Sequence, residues 1–252
     1  MRDQIDGVNG GATGSSLADA AAVLGRRAGS VAIAVATIVA TLGVAVAVFF
    51  NPAWVAFEQG RADAAAWTGY GPGDLRAATD AILGDLYFGG GDFAVTVAGA
   101  PVLDPRERAH MRDVRAVFID FGIAVAASFA LLVAGWFVQR GDSVQWWRGV
   151  RLGATVLLAA VVVLGAAALV AFDALFEVFH RIFFAGGSYS FDPRTERLVQ
   201  LFPDRFWFET STALAVVLVA FGAGLRFLAG RRIRMTLAPA GGTAHTATGG
   251  AR

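Results

Sequence analysis

Four long apolar runs, free of charge and of proline, organise the chain. Three are residues 31–50, 121–138 and 152–172. The fourth, 214–225, grows to about 20 residues when Glu209 and Arg226 are taken as its flanks. A helix of about 20 residues spans the hydrocarbon core, and backbone groups in lipid must be satisfied within the segment. The pattern therefore predicts four transmembrane helices, at about 31–50, 118–138, 152–174 and 209–229. The expected fold is an all-α membrane protein with a small mixed extracytoplasmic cap between the first and second helices. The membrane domain runs over 29–235, with outer loops at 51–117 and 177–208. Residues 1–28 and 236–252 read as disordered cytoplasmic tails, because Gly, Ala, Thr and Ser dominate their ends without periodicity.

Between the runs, polar positions mark turns and caps. Asn51-Pro-Ala-Trp54 leaves the membrane through a helix-breaking proline. Pro72-Gly-Asp74 opens a helix with Asp74 as its cap, and Leu75, Ala78, Ala81, Ile82 and Leu86 follow at helical spacing. Gly89-Gly-Gly-Asp92 stops it, and Phe93-Ala-Val-Thr-Val97 reads as a short strand. Leu103-Asp104-Pro105 starts another helix, with Asp104 at the N-cap and Pro105 at N1, that runs directly into the second span. Ala45-Val-Ala47 has the small-x-small form of a signal-peptide cleavage site. The run containing it is longer than a signal core, so an uncleaved first helix is the reading.

Charge fixes the expected orientation. The chain has no lysine, and its arginines cluster at 26–27, at 140, 148 and 151, and at 226–234. All three clusters fall on one face, which the positive-inside rule makes cytoplasmic, together with both termini. Acids dominate elsewhere, with ten Asp/Glu against six Arg over residues 51–120. A hydrophobic content of 56% excludes an ordinary soluble domain, and a net charge of +1 argues against nucleic acid as a partner. The absence of cysteine removes thiol nucleophiles, thiolate metal sites and iron–sulfur clusters.

Candidate chemistry centres on two of the three histidines. Each occupies a Glu-x-x-His frame, Glu107 to His110 before the second span and Glu177 to His180 after the third. Antiparallel spans bring the two imidazoles to one rim of the membrane, where a shared site demands a separation within roughly 10 Å. Positions three apart share a helix face, so Glu107, His110 and Asp113 form one stripe and Glu177 and His180 another. Three chemistries fit. Paired Glu-x-x-His motifs ligate di-iron sites when two more glutamates join, for which Glu58 and Glu209 are available. Bis-histidine haem is a second reading, although it places the ligands inside a bundle. Acid–base catalysis is the third, with a carboxylate orienting the ring and Ser188 or Ser190 as an available nucleophile. A non-catalytic scaffold binding lipid or a partner protein also fits. Aromatic residues crowd 179–208, as an interface belt requires. His245 sits in the C-terminal tail, outside this constellation.

The residues around the histidines carry a family resemblance. Glu107-Arg-Ala-His-Met-Arg-Asp-Val114 resembles the E-x-x-H-M-x-D-V signature of a bacterial four-helix membrane family that includes the lipoprotein intramolecular transacylases. Phe179-His-Arg-Ile-Phe-Phe184, with Phe191-Asp-Pro193, Leu198 and Leu201-Phe-Pro203, resembles its second signature, and Ile82-Leu-Gly-Asp-Leu-Tyr87 fits a preceding helix. Tyr189 stands where the family usually has tryptophan. The resemblance covers about residues 30–230. It implies a plasma-membrane acyltransferase without cofactor or metal, acting on diacylglyceryl-modified lipoproteins among membrane lipid. The acyl chain on the glyceryl sn-2 oxygen would pass to the N-terminal cysteine amine, with positioning within one molecule supplying much of the rate. His110 and His180 would carry the proton chemistry at the extracytoplasmic face. Glu107, Asp113, Glu177, Tyr87 and Asp192 would support them. Phe183, Phe184, Tyr189 and Arg181 would contact the substrate.

Overall fold

The computed structural model describes residues 6–139, 143–184 and 187–238, with side chains from residue 20 onward. Helix α1 spans Asp6–Phe49. Residues 20–28, expected in a tail, continue this helix instead. Ala20, Ala21, Ala22 and Leu24 are strong helix formers, so the span propagates through them at little cost. The short helices α2 (Pro52–Arg61), α3 (Ala64–Thr68) and α4 (Pro72–Phe88) follow, then strands β1 (Thr96–Val97) and β2 (Ala100–Pro101). Helix α5 (Pro105–Val138), α6 (Ser143–Phe183), α7 (Arg197–Leu201) and α8 (Asp204–Leu237) complete the order. Parts of α1 and all of α5, α6 and α8 are long and apolar enough to cross a membrane. The protein is a multi-pass, all-helical membrane protein with a small cap. Most of the expected C-terminal tail, His245 included, lies outside the described residues.

Local chemistry explains where the elements begin. Asn51 caps α2 by accepting a hydrogen bond from the Trp54 backbone N–H at 2.9 Å. In α4 the cap is Gly71 with Pro72 at N1, so the helix starts ahead of the expected Asp74 cap. The fixed φ of Pro72 initiates that turn, and Asp74 instead complements the helix dipole from the first turn. Asp104 caps α5 as expected and forms a full capping box with Glu107. The expected strand at 93–97 shrinks to Thr96–Val97, because Phe93 holds a left-handed φ of 54° that interrupts extended backbone. The hairpin closes through Ala98 and Gly99, both at positive φ, as a tight two-residue turn needs.

Small residues let the membrane helices approach closely, since lipid offers no hydrophobic driving force between them. Helix α1 packs against α5, α6 and α8, and α6 packs against α8. A Cβ on Gly153 would stand 2.4 Å from the Ala34 carbonyl oxygen, and one on Gly149 would stand 3.0 Å from that of Ser30. Thr37 and Thr41 are buried in the same seam. Their hydroxyls donate to the carbonyls of Ile33 and Thr37 at 2.8 and 2.7 Å, which removes the cost of a bare hydroxyl in lipid. Gly153→Val is expected to separate α1 from α6 at a cost of about 1–3 kcal/mol or more. Thermal unfolding in detergent measures it, and an unchanged midpoint would contradict the close approach.

The cap has its own core, in which Ile82, Leu86, Phe93, Leu103, Met111 and Leu201 pack together. Gln59, 2% exposed, ties three elements there. Its amide donates to Thr79 Oγ1 at 2.9 Å and to the Leu201 carbonyl at 3.0 Å, joining α2, α4 and α7. Met111 belongs to this core and to α5, so cap and membrane domain share one continuous helix. Helix α6 reaches Phe183, so residues 177–183 of the expected second outer segment are helical, and Glu177 and His180 lie on one helix as their spacing implied. At Ala171 the backbone leaves helical values (φ −150°, ψ 47°), and this kink re-aims the end of α6.

Candidate functional site

Helices α5 and α6 deliver one histidine each to the boundary between cap and membrane domain. The His110 and His180 rings lie 6.2 Å apart, centroid to centroid, inclined by 28°. That separation falls inside the limit for one shared site. Both are buried, at 6% and 8% exposure. Aromatic rings enclose them. Phe184 stands 4.8 Å from His110 and 5.5 Å from His180, Phe191 lies 5.5 Å from His110, and Tyr189 lies 5.0 Å from His180.

The two imidazoles differ in their hydrogen bonds. His180 Nδ1 lies 2.8 Å from the Phe176 carbonyl oxygen, one turn back along α6. A carbonyl only accepts, so Nδ1 carries the proton and Nε2 keeps its lone pair. The Phe176 ring packs 4.1 Å from the same imidazole. His110 Nδ1 is buried and has no hydrogen-bond partner among the described residues. One ring is thus held by the backbone, and the other keeps a ring nitrogen that no described residue claims.

The carboxylates in the two Glu-x-x-His frames turn elsewhere. Glu107, 1% exposed, accepts from the Leu198 N–H through Oε1 and from the Asp104 N–H through Oε2, both at 2.6 Å. It therefore binds α7 to the start of α5 and does not orient His110. Glu177 accepts from Arg181 Nε at 2.8 Å and from the Tyr189 hydroxyl at 3.0 Å. Helical spacing explains this, since Arg181 lies four residues on and pairs more readily than a ring three residues away. Asp113 is exposed on α5 beside His110, without a hydrogen bond to it among the described residues.

Other expected residues divide between the site and its surroundings. Phe184 is buried against both rings, whereas Phe183 is half-exposed and stacks on Phe179 at 4.8 Å. Tyr189 joins the site, and Arg181 stands at its rim, paired with the Glu177 that Tyr189 also bonds. Asp192 pairs with Arg194 at 2.8 Å, which holds its carboxyl below the ordinary carboxylate value. Tyr87 bonds the Phe50 carbonyl on the α1 side, and burial pushes its hydroxyl up to about 12. Among the described residues, neither Tyr87 nor Asp192 makes a hydrogen bond or ring contact with a histidine. Sequence reasoning missed Phe176, whose i−4 spacing from His180 was a readable signal, and Arg106. Arg106 donates to the Ser190 carbonyl at 2.9 Å and pairs with Glu196 at 3.2 Å, holding the loop that carries Tyr189 and Phe191.

Glu58 and Glu209, considered as additional metal ligands, sit with Arg61 instead, and Arg61 Nε lies 2.6 Å from Glu209. Among the described residues, no group of three or more His, Asp or Glu is placed to hold a metal ion. The arrangement suits proton transfer between a guest molecule and two adjacent rings. Tyr189→Phe is expected to keep the ring packing and lose the tie to Glu177, with a loss of turnover up to about tenfold. Steady-state kinetics checks it. A loss as deep as that from removing a histidine would give the hydroxyl a direct part.

A family model described as lipoprotein intramolecular transacylase Lit matches residues 30–207. No curated protein sequence matches. Among solved structures, the membrane integral lipoprotein intramolecular transacylase Lit from Bacillus cereus superposes with a TM-score of 0.72 at 16% identity, covering 83% of this chain and 98% of that one. The same protein with one histidine replaced by arginine gives a TM-score of 0.67 at 15% identity, covering 88% and 98%. A histidine-to-alanine form also gives 0.67 at 15%, covering 84% and 94%. At such identities the structures bear on the fold.

Proposed function

The chain belongs to the lipoprotein intramolecular transacylase family, and from that premise we propose that it moves an acyl chain from the glyceryl sn-2 oxygen of a bacterial lipoprotein to its N-terminal cysteine amine. His110 and His180 are the proton-handling pair in this reading. The observation that carries it is their 6.2 Å approach within a buried aromatic cluster, with one ring fixed by a backbone carbonyl.

The geometry supports distinct roles. With Nδ1–H held by Phe176, His180 presents Nε2 as a base. A neutral imidazole offers that lone pair to a proton. The cysteine amine attacks the ester carbonyl as its N–H proton passes to His180. The carbonyl π electrons move to oxygen, giving a tetrahedral intermediate, and an N–H of His110 donates to that oxyanion. As the intermediate collapses, the C–O bond to glycerol breaks and the imidazolium returns its proton to the departing oxygen. The products are an amide and a free glyceryl hydroxyl, and no redox partner is needed. Amine and ester belong to one molecule, so the pocket chiefly has to hold them together.

Topology supports an extracytoplasmic site in the plasma membrane. The arginine clusters gather at the bundle end away from the histidines, where Gln145 donates to the Arg26 carbonyl and Arg232 stacks over Trp147. The positive-inside rule makes that end cytoplasmic. The test is expression in a bacterial host lacking N-acylating enzymes, with lipoprotein N-termini read by mass spectrometry. The expected product is a cysteine with an N-linked acyl chain and one remaining ester-linked chain. Diacylglyceryl-cysteine with a free amine, despite good membrane expression, would instead point to a non-catalytic binding protein.

A further inference from the structure

A recess lies on another flank of α5. It is a groove of about 450 Å³ between α1 and α5, roofed by the end of α4. Gly43, Ala47 and Phe50 of α1, Phe118 and Gly122 of α5, and Phe88 of α4 line it. Phe88 is 89% exposed, a large apolar ring standing at the groove's mouth. The floor is closed where α1 and α5 touch at Gly43 and Val125. At Gly122 an added Cβ would meet nothing within 4 Å, so the groove is open along that side. His110 instead faces His180 of α6, and neither histidine lines this groove.

On the N-terminal side of the groove-lining Phe118 and Gly122, Arg108, Arg112 and Arg115 follow one another along α5. Arg115 and Gly122, seven residues apart, share one stripe of the helix. Two carboxylates oppose these three guanidiniums. Asp92 pairs with Arg112 at 2.7 Å and also with Arg108. Asp85 is occupied by the N–H groups of Gly91 and Phe93, each at 2.9 Å. Arg115 donates to the Gly91 carbonyl at 3.2 Å and lies over the Phe93 ring. Arg112 uses a single nitrogen on Asp92 and is 44% exposed, so most of its fork faces outward. An excess of positive charge thus caps an apolar slot that opens to the acyl region.

We propose that this groove binds one anionic phospholipid of the surrounding membrane, its acyl chain along Phe118 and Gly122 and its phosphate on Arg112 and Arg115. The diacylglyceryl group of a lipoprotein carries no phosphate, so these arginines match a molecule other than the proposed substrate. Guanidinium forks recognise phosphate oxygens in pairs, which a zwitterionic headgroup answers less well because its own cation competes.

Native mass spectrometry of the full-length protein in detergent tests this, with phosphatidylglycerol and phosphatidylcholine of identical acyl chains as probes. The wild type should retain phosphatidylglycerol preferentially, by about fivefold for each arginine engaged. Arg112→Gln should cut that preference by about fivefold, and Gly122→Phe should lower occupancy by both. Equal retention of the two lipids by the wild type would overturn the proposal, as would occupancy untouched by Gly122→Phe. Arg112 is exposed and its substitution leaves Arg108 on Asp92, so that arm stands even if the groove variant fails to fold. The readout is binding, so it is independent of whether acyl transfer is observed.

Discussion

His110→Ala and His180→Ala are each expected to slow N-acylation by about 10²–10⁴-fold, the range that removal of a positioned acid–base group produces. Combining them should cost little more than the worse single change, because one proton path runs through both rings. Each substitution also empties a space among Phe176, Phe184, Phe191 and Tyr189, so membrane levels and thermal midpoints need to be read alongside. His180→Gln is the sharper probe, since it fills most of that space with an amide that cannot take up a proton near neutral pH. Lipoprotein N-termini read by mass spectrometry over a time course give the rate. Activity retained within about threefold in a well-folded variant would remove that histidine from the chemistry.

Glu107→Gln is expected to be nearly as damaging to stability as Glu107→Ala, although it changes one atom. Both carboxylate oxygens accept from backbone N–H groups, Leu198 on one side and Asp104 on the other. An amide has one acceptor and one donor, so its NH₂ must face an N–H in a fully buried place. Losing a charge-assisted bond there and stranding a donor costs about 2–5 kcal/mol in sum. The unfolding midpoint in detergent should fall by several degrees in both variants. Turnover should fall as well, because α7 follows the loop that seats Phe191 against His110. A midpoint for Glu107→Gln close to wild type would show that the two short bonds contribute little.

The sequence disclosed the parts whose causes are local. Apolar runs located the four membrane helices, and Leu103-Asp104-Pro105 marked the start of α5 to the residue. The meeting of His110 and His180 was also readable, because it needs only two antiparallel helices of known length. What escaped depends on contacts between distant segments. The partner of Glu107 is 91 residues away, on a five-residue helix whose sequence carries no periodicity. The Glu-x-x-His spacing suggested that each carboxylate served its own ring, yet a capping box claimed Glu107 and an arginine one turn on claimed Glu177. The position of Phe93 in the left-handed region had no local signal either, as glycine and not phenylalanine ordinarily marks such a site.

The acceptor that fixes His180 is part of the main chain. No side-chain substitution can delete it, in contrast to enzymes where a carboxylate holds the ring and a single amide replacement changes the tautomer. Ring orientation is inherited from the continuity of α6 beyond Ala171, and every residue compatible with a helix there is compatible with the same tautomer. The segment can thus vary widely in sequence while the proton stays on Nδ1. A proline placed near position 180 is the kind of change that breaks this arrangement, because it would reach the histidine through the helix itself.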